Sequence, residues 1–251
     1  RMLAFVGRAA LAASVAWASL YLVEHQGRLI REESLLRYPL AVALDQSGIA
    51  VYESEIVATA KLRAGAAPSF AELKEAAVRV AGQLPQEGTE SLWADASDGF
   101  SVVYVEGSEP FGGRWIASAR WVQGAEPGSG TVETAVHRQF HGMPEEMPRI
   151  YHATLQLLAR GAGVAARREG KAVFRGRPAR EAPRGEIAAS ILAAAGADLR
   201  YEEVRDDRYV AAGWTPRLPG RVELGRRAVN VVVTVTRHGL GEWVEVETPI
   251  L

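Results

Sequence analysis

His137 and His141 stand four residues apart, a spacing that on a helix places two imidazoles on one face, where they could hold a metal ion. Here the run from Thr131 to Phe140 alternates in the manner of a strand, and no matched carboxylate completes a ligand set. The pair therefore reads as surface strand histidines. Gly163 to Lys171 superficially resembles a phosphate loop, but the spacing is too long and Ala172 occupies the place of the required Ser or Thr. Gly128-Ser129-Gly130 lacks the strand-elbow-helix setting of a hydrolase nucleophile and reads as a turn. The carboxylate pairs Asp95/Asp98, Glu145/Glu146, Glu202/Glu203 and Asp206/Asp207 fall in turn-like or helix-start contexts and read as solvated charge. Cysteine is absent, which excludes thiol nucleophiles, disulfides and Cys-ligated metal. No catalytic residue, cofactor site or metal site is expected.

The remaining chemistry is that of recognition, and it lies on strands. Residues 226–237 and 242–248 are two β-rich runs around His238-Gly239-Leu240-Gly241, the pattern of a hairpin. Positions 229, 231, 233 and 235 are all Val, while Asn230, Val232, Thr234 and Thr236 alternate with them. Period-two geometry puts the Val row on a buried face and the other row on an open one. Residues 113–122 repeat the signature, with Trp115, Ala117, Ala119 and Trp121 inward and Arg114, Ile116, Ser118 and Arg120 outward. The candidate interaction face is thus Arg114, Ser118, Arg120, Asn230, Thr234 and Thr236. Asn230, the only asparagine of the chain, is expected at its centre, flanked by Thr234 and Arg120, or else satisfying a neighbouring backbone or side chain.

The elements that would position these residues recur. Tyr38 to Gly48 predicts a short helix stopped by a glycine, and residues 50–63 a long strand. Ser69 to Leu84 predicts an amphipathic helix with Ser69 as N-cap and Glu72 at the capping-box position. Strands are expected at 91–94, 100–106, 113–122 and 131–140. A helix over 143–160, a strand over 164–174, a helix over 185–195, strands near 199–204 and 209–214, and the terminal hairpin then follow in a similar order. The expectation is an α+β fold: a duplicated helix-strand-helix-multistrand unit, residues 38–142 and 143–251, with an antiparallel sheet and helices on one face.

Residues 1–23 stand apart. Arg1 and Arg8 precede an uncharged apolar run from Ala9 to Val23, which predicts a signal peptide or signal anchor forming a leader helix, with residues 24–37 as a charged spacer. Positive charge before the apolar run places the remainder outside the cytoplasm. A net charge of −1 supplies no global field toward nucleic acid, and 48% hydrophobic content is ample for a core.

The run Ala211-Ala212-Gly213-Trp214-Thr215-Pro216-Arg217-Leu218-Pro219, then 229–233 and Glu247-Thr248-Pro249-Ile250, resembles the C-terminal signature of the YwmB-like family. Leu44 to Ile49, Lys61-Leu62 and the helix at 70–84 are similar to its N-terminal unit. The resemblance covers residues 38–251 and implies exported or membrane-anchored proteins of Gram-positive bacteria with a fold similar to the TATA-box-binding protein. It implies no catalytic residues. DNA binding is not expected, because two arginines among eight outward positions make no phosphate track. The expected function is a non-catalytic extracytoplasmic binding module, tied to the membrane by its N-terminal segment, whose partner is an envelope protein or cell-wall polymer. An extracytoplasmic hydrolase or other enzyme with an unrecognised site is the alternative.

Overall fold

A computed structural model describes residues 39–250 apart from 86, 98–99, 111, 126–128, 145–146, 162–166, 219 and 240. The described residues begin with α1 (Pro39–Gln46), whose Leu40, Ala43 and Leu44 are buried. It ends at Gly48, which takes φ +65, a left-handed conformation that stops a helix without a Cβ clash. Next come β1 (Ile49–Ala64) and α2 (Phe70–Ala81). At Ser69 both halves of a capping box form: Glu72 N–H donates to the Ser69 hydroxyl (3.3 Å), and Ser69 N–H donates to the Glu72 carboxylate (2.7 Å). A four-strand meander follows, β2 (Glu87–Ser97), β3 (Phe100–Ser108), β4 (Gly113–Gln123) and β5 (Gly130–His141).

The chain continues through α3 (Met147–Gly161), β6 (Arg167–Pro178) and α4 (Arg184–Ala194). Strands β7 (Asp198–Val204), β8 (Arg208–Trp214), β9 (Val222–Leu224), β10 (Arg227–Val229), β11 (Val231–His238) and β12 (Gly241–Ile250) complete it. Ten strands form one sheet in the order β2-β3-β4-β5-β1-β6-β12-β11-β8-β7, and β9 and β10 pair separately. Every neighbouring pair is antiparallel. Pro39–Leu251 forms one compact unit.

The core lies between one face of this sheet and the helices. Leu73, Ala77 and Val80 of α2 and Leu158 of α3 meet Val103, Val105, Trp115, Ala117, Ala119 and Val136. Trp115 is fully buried, yet its indole N–H reaches the Pro85 carbonyl at 2.9 Å. A Cβ at Gly107 would stand 2.2 Å from that ring, so the close approach of β3 requires glycine. Arg138 of β5 is also buried here, held by both oxygens of Glu109 (2.6 and 2.7 Å) and by the Thr154 hydroxyl (3.3 Å).

The fold-class expectation needs correction. Strands hold more than twice as many residues as helices, so the molecule is mostly antiparallel sheet rather than the expected α+β fold of the TATA-box-binding-protein kind. The reason is length: β1, β5 and β6 run 12–16 residues, whereas the four described helices run 8–15. Strands β1 and β6, one from each side of the expected boundary at 142/143, pair directly and weld all of this into one sheet. The expected leader at 1–23 and spacer at 24–37 lie outside the described residues. Among the described residues no helix is long and apolar enough to cross a membrane.

Candidate interaction face

The side of the sheet opposite the helices is built from the second residue row of each strand. On β1 that row contains Glu53, Glu55, Val57, Thr59 and Lys61, because the alternate positions Ser54, Ile56, Ala58 and Ala60 are buried. Arg175 of β6 sits opposite Glu53 on one side and Glu245 of β12 on the other. Its guanidinium pairs with Glu53, with Glu55 at 3.0 Å and with Glu245 at 2.7 Å. Burial pulls the Arg175 pKa down, but the three carboxylates more than reverse this and hold it above its ordinary value.

Glu55 also meets His137 of β5 at 2.6 Å. That hydrogen bond outweighs burial, which acts the other way, and together with Arg175 it holds the Glu55 carboxyl down at about 2. Further pairs flank the centre: Lys61–Glu169 (2.9 Å), Lys171–Glu247 (3.3 Å) and Arg120–Glu133 (2.6 Å). The exposed pairs Lys61–Glu169 and Lys171–Glu247 each contribute only about 0–1 kcal/mol. They keep a wide sheet face wet and charge-balanced, and leave it without a one-sign track.

The sequence-predicted residues divide among three places. Arg114, Ile116, Ser118 and Arg120 lie on the outward row of β4. Arg114 donates to Gln139 (3.0 Å) and pairs with Glu106 at 3.5 Å. Val232, Thr234 and Thr236 lie half-buried on the outward row of β11. Between β4 and β11 stand β5, β1, β6 and β12, so the two groups are five strand spacings, or ~24 Å, apart. The structure does not bring them together.

Asn230 is on neither row. It is fully buried at 0% exposure, accepting from Thr215 N–H (2.9 Å) and donating to the carbonyls of Thr215 (2.7 Å) and Leu218 (2.9 Å). The expectation of an open-face asparagine is corrected to the alternative, a residue satisfying a neighbouring backbone. The physical reason is a break in the strand: β10 ends at Val229, β11 begins at Val231, and the intervening bend turns the side chain inward. Gly225 (φ 54) and Arg226 (φ 71), both left-handed, make the tight β9–β10 turn at the start of that run.

Sequence reasoning missed the aromatic part of the face. Trp93 of β2 and Tyr104 of β3 are direct cross-strand partners, and Tyr104 is in turn opposite Ser118. Trp93 is 58% exposed and Tyr104 38%. The expected strands at 91–94 and 100–106 already held both residues, but the register that makes Trp93 and Tyr104 direct partners on the row opposite buried Val103 and Val105 is not a local signal. A second aromatic group closes the other end of β1. There Tyr52, the extra residue of a β-bulge between Val51 and Glu53, meets Trp243 edge-on at 5.3 Å, and Arg177 lies over the Trp243 ring at 4.2 Å.

His141, the partner proposed for His137 by spacing, is at the end of β5, while His137 is engaged by Glu55. Among the described residues, no three His, Cys, Asp or Glu side chains are grouped to hold a metal ion. No family model matches the chain, and no curated protein matches it. Among solved structures it is similar to the di-domain ARO/CYC BexL from the BE-7585A biosynthetic pathway. That match has 11% identity over 78% of this chain and 84% of that one, with a TM-score of 0.24. A likeness at that level transfers neither fold nor chemistry.

Proposed function

We propose that this chain is a non-catalytic, exported binding module that holds a protein of the cell envelope on the β2–β4 part of its open sheet face. The observation that supports the reading is the Trp93–Tyr104 pair. Two large aromatics lie side by side, Trp93 58% and Tyr104 38% exposed, with Ile116 next to them and Arg114 and Arg120 at the margins. Trp, Tyr and Arg are the residue types that dominate protein–protein binding energy, and exposed aromatics on a rigid sheet lose little entropy on binding. Nucleic acid is disfavoured, because the cations on this face are matched by carboxylates, as in Arg120–Glu133 and Arg175–Glu55. Export rests on the apolar run 9–23 and on the YwmB-like resemblance of 38–251; both belong to the sequence.

A photo-crosslinking residue in place of Tyr104, compared with one in place of Glu75 on α2, tests the reading in cells of the native host. Glu75 is exposed on the helix side. Discrete protein adducts from position 104 and none from position 75 are expected. Equal adducts from both positions would overturn the face assignment, and adducts only to cell-wall polymer would overturn the protein partner.

A further inference from the structure

The ten-strand sheet ends in two edges, β2 and β7, and each leaves a row of backbone N–H and C=O groups without a strand neighbour. The two edges are built differently. β7 is seven residues long, carries a bulge between Leu199 and Tyr201, and holds Glu202 and Glu203 in succession. Its start is tied to β10, where Arg200 donates to the Ala228 carbonyl (2.9 Å) and Arg227 donates to the Arg200 carbonyl. Bulges, charges and a covering segment are the devices that keep a strand edge from pairing.

β2 has none of these over residues 91–97. That stretch holds one charged residue, Asp95, and no Lys or Pro. Its register against β3 is unbroken there, the irregularity of β2 falling between Glu87 and Ser91. All seven side chains are exposed. On the helix side, Leu92 and Ala94 lie opposite buried Val105 and Val103, but α2 packs on β3 and β4 and leaves Leu92 47% exposed. The edge is therefore open in its backbone and on both of its faces.

Two identical strands pair antiparallel about a two-fold axis normal to the sheet, and side-chain alternation requires that axis to pass through a residue. An axis at Ala94 is the one that pairs all seven residues. It sets Leu92 opposite Ala96, Ser91 opposite Ser97, and Ala94 opposite itself, where two small side chains meet without crowding. Trp93 then faces Asp95 of the second copy, twice over, and each indole N–H meets a carboxylate acceptor. An axis one residue later would oppose two Asp95 carboxylates. The strand is complementary to itself in size and in its donor and acceptor pattern.

We propose that a second copy of this chain pairs with β2 over residues 91–97, two-fold at Ala94, so that one sheet runs through both molecules. Tyr104, one strand from the seam, stays on the open face, and the two Trp93–Tyr104 pairs come together there. The proposal rests on the strand edge and not on the identity of any further partner.

Sedimentation equilibrium on the full chain should show a dimer. Ala94→Lys and Ala94→Glu, at an exposed position, should each weaken it at least tenfold, because like charges meet at the axis. An equimolar mixture of the two variants should restore it. The chain has no cysteine, so Ala94→Cys supplies a single thiol, and opposed Cα atoms in such a pair stand within disulfide reach. Mild oxidation should link two chains through position 94, while Ser97→Cys, whose copies would lie ~20 Å apart, should not link. A wild type that is monomeric at every concentration, a dimer of unchanged affinity in Ala94→Lys, or equal linking from positions 94 and 97 would overturn the proposal. So would a monomeric chain whose cross-links from position 94 in the native host lead to a different protein, which would give this edge to a partner's strand. Tyr104→Ala should leave the dimer intact while weakening capture of an envelope protein, so the two readings fail separately.

Discussion

Replacing Asn230 with Ala tests the physical core of this account. The side chain is inaccessible and makes three hydrogen bonds that tie the start of β11 to the Thr215–Leu218 loop. Truncation leaves the Thr215 N–H and two carbonyls with no partner in a dry site. Each hydrogen bond is worth about 1 kcal/mol net, and stranding the partners in a buried site raises the toll. The expected loss is about 3–5 kcal/mol, a large fraction of the ~5–15 kcal/mol that holds a domain folded. Urea unfolding of the full chain, followed by tryptophan fluorescence, should show the midpoint falling sharply with an unchanged m-value. Asn230→Asp should be comparably harmful, because its carboxylate would face two carbonyl oxygens. A loss below about 1 kcal/mol in both variants would refute the argument that this residue is a structural clasp.

Other outcomes follow from the same geometry. Val231→Ala, at a fully buried position beneath α4, should cost about 2–4 kcal/mol by urea unfolding, while Thr234→Ala on the half-buried outward row should cost about 0.5 kcal/mol or less. Glu55 has its pKa depressed from 4.5 to about 2, so its contribution is complete above pH 4.5 and is lost as pH falls toward 2. The unfolding free energy from urea titration should therefore decline more steeply between pH 4.5 and 2 in the wild type than in Glu55→Gln, by up to about 3 kcal/mol; parallel declines would contradict the assignment. Glu109→Ala leaves buried Arg138 without its bidentate partner and should cost about 3–5 kcal/mol, whereas Glu109→Leu with Arg138→Met should recover most of the loss.

Much of the local structure was legible because single residues enforce it. Gly48 stops α1 at a positive φ, Ser69 and Glu72 cap α2, and the Val row at 229, 231, 233 and 235 is wholly buried. What alternation could not convey was interruption. A Val-rich run gives no sign that the chain bends at Asn230, since the deciding contacts come from Thr215 and Leu218, 12–15 positions away. Alternation also does not say which helix covers the Val row. In the structure α4 covers β11 and β8, and α2 covers β3 and β4. The ten-strand order places these at opposite ends of the sheet, and no local pattern reports strand order. The ion-pair lattice around Arg175 was hidden for the same reason, since Glu53, Glu55, His137 and Glu245 meet it only through long-range register.

The binding reading is tested most directly by the affinity of the full chain for the protein cross-linked through position 104, measured for the wild type and for Trp93→Ala with Tyr104→Ala. Both rings are exposed, so the double variant should keep its melting temperature within about 2 °C. If the two aromatics are the anchors, its affinity should fall at least ~100-fold. An unchanged affinity in a folded double variant would contradict the account.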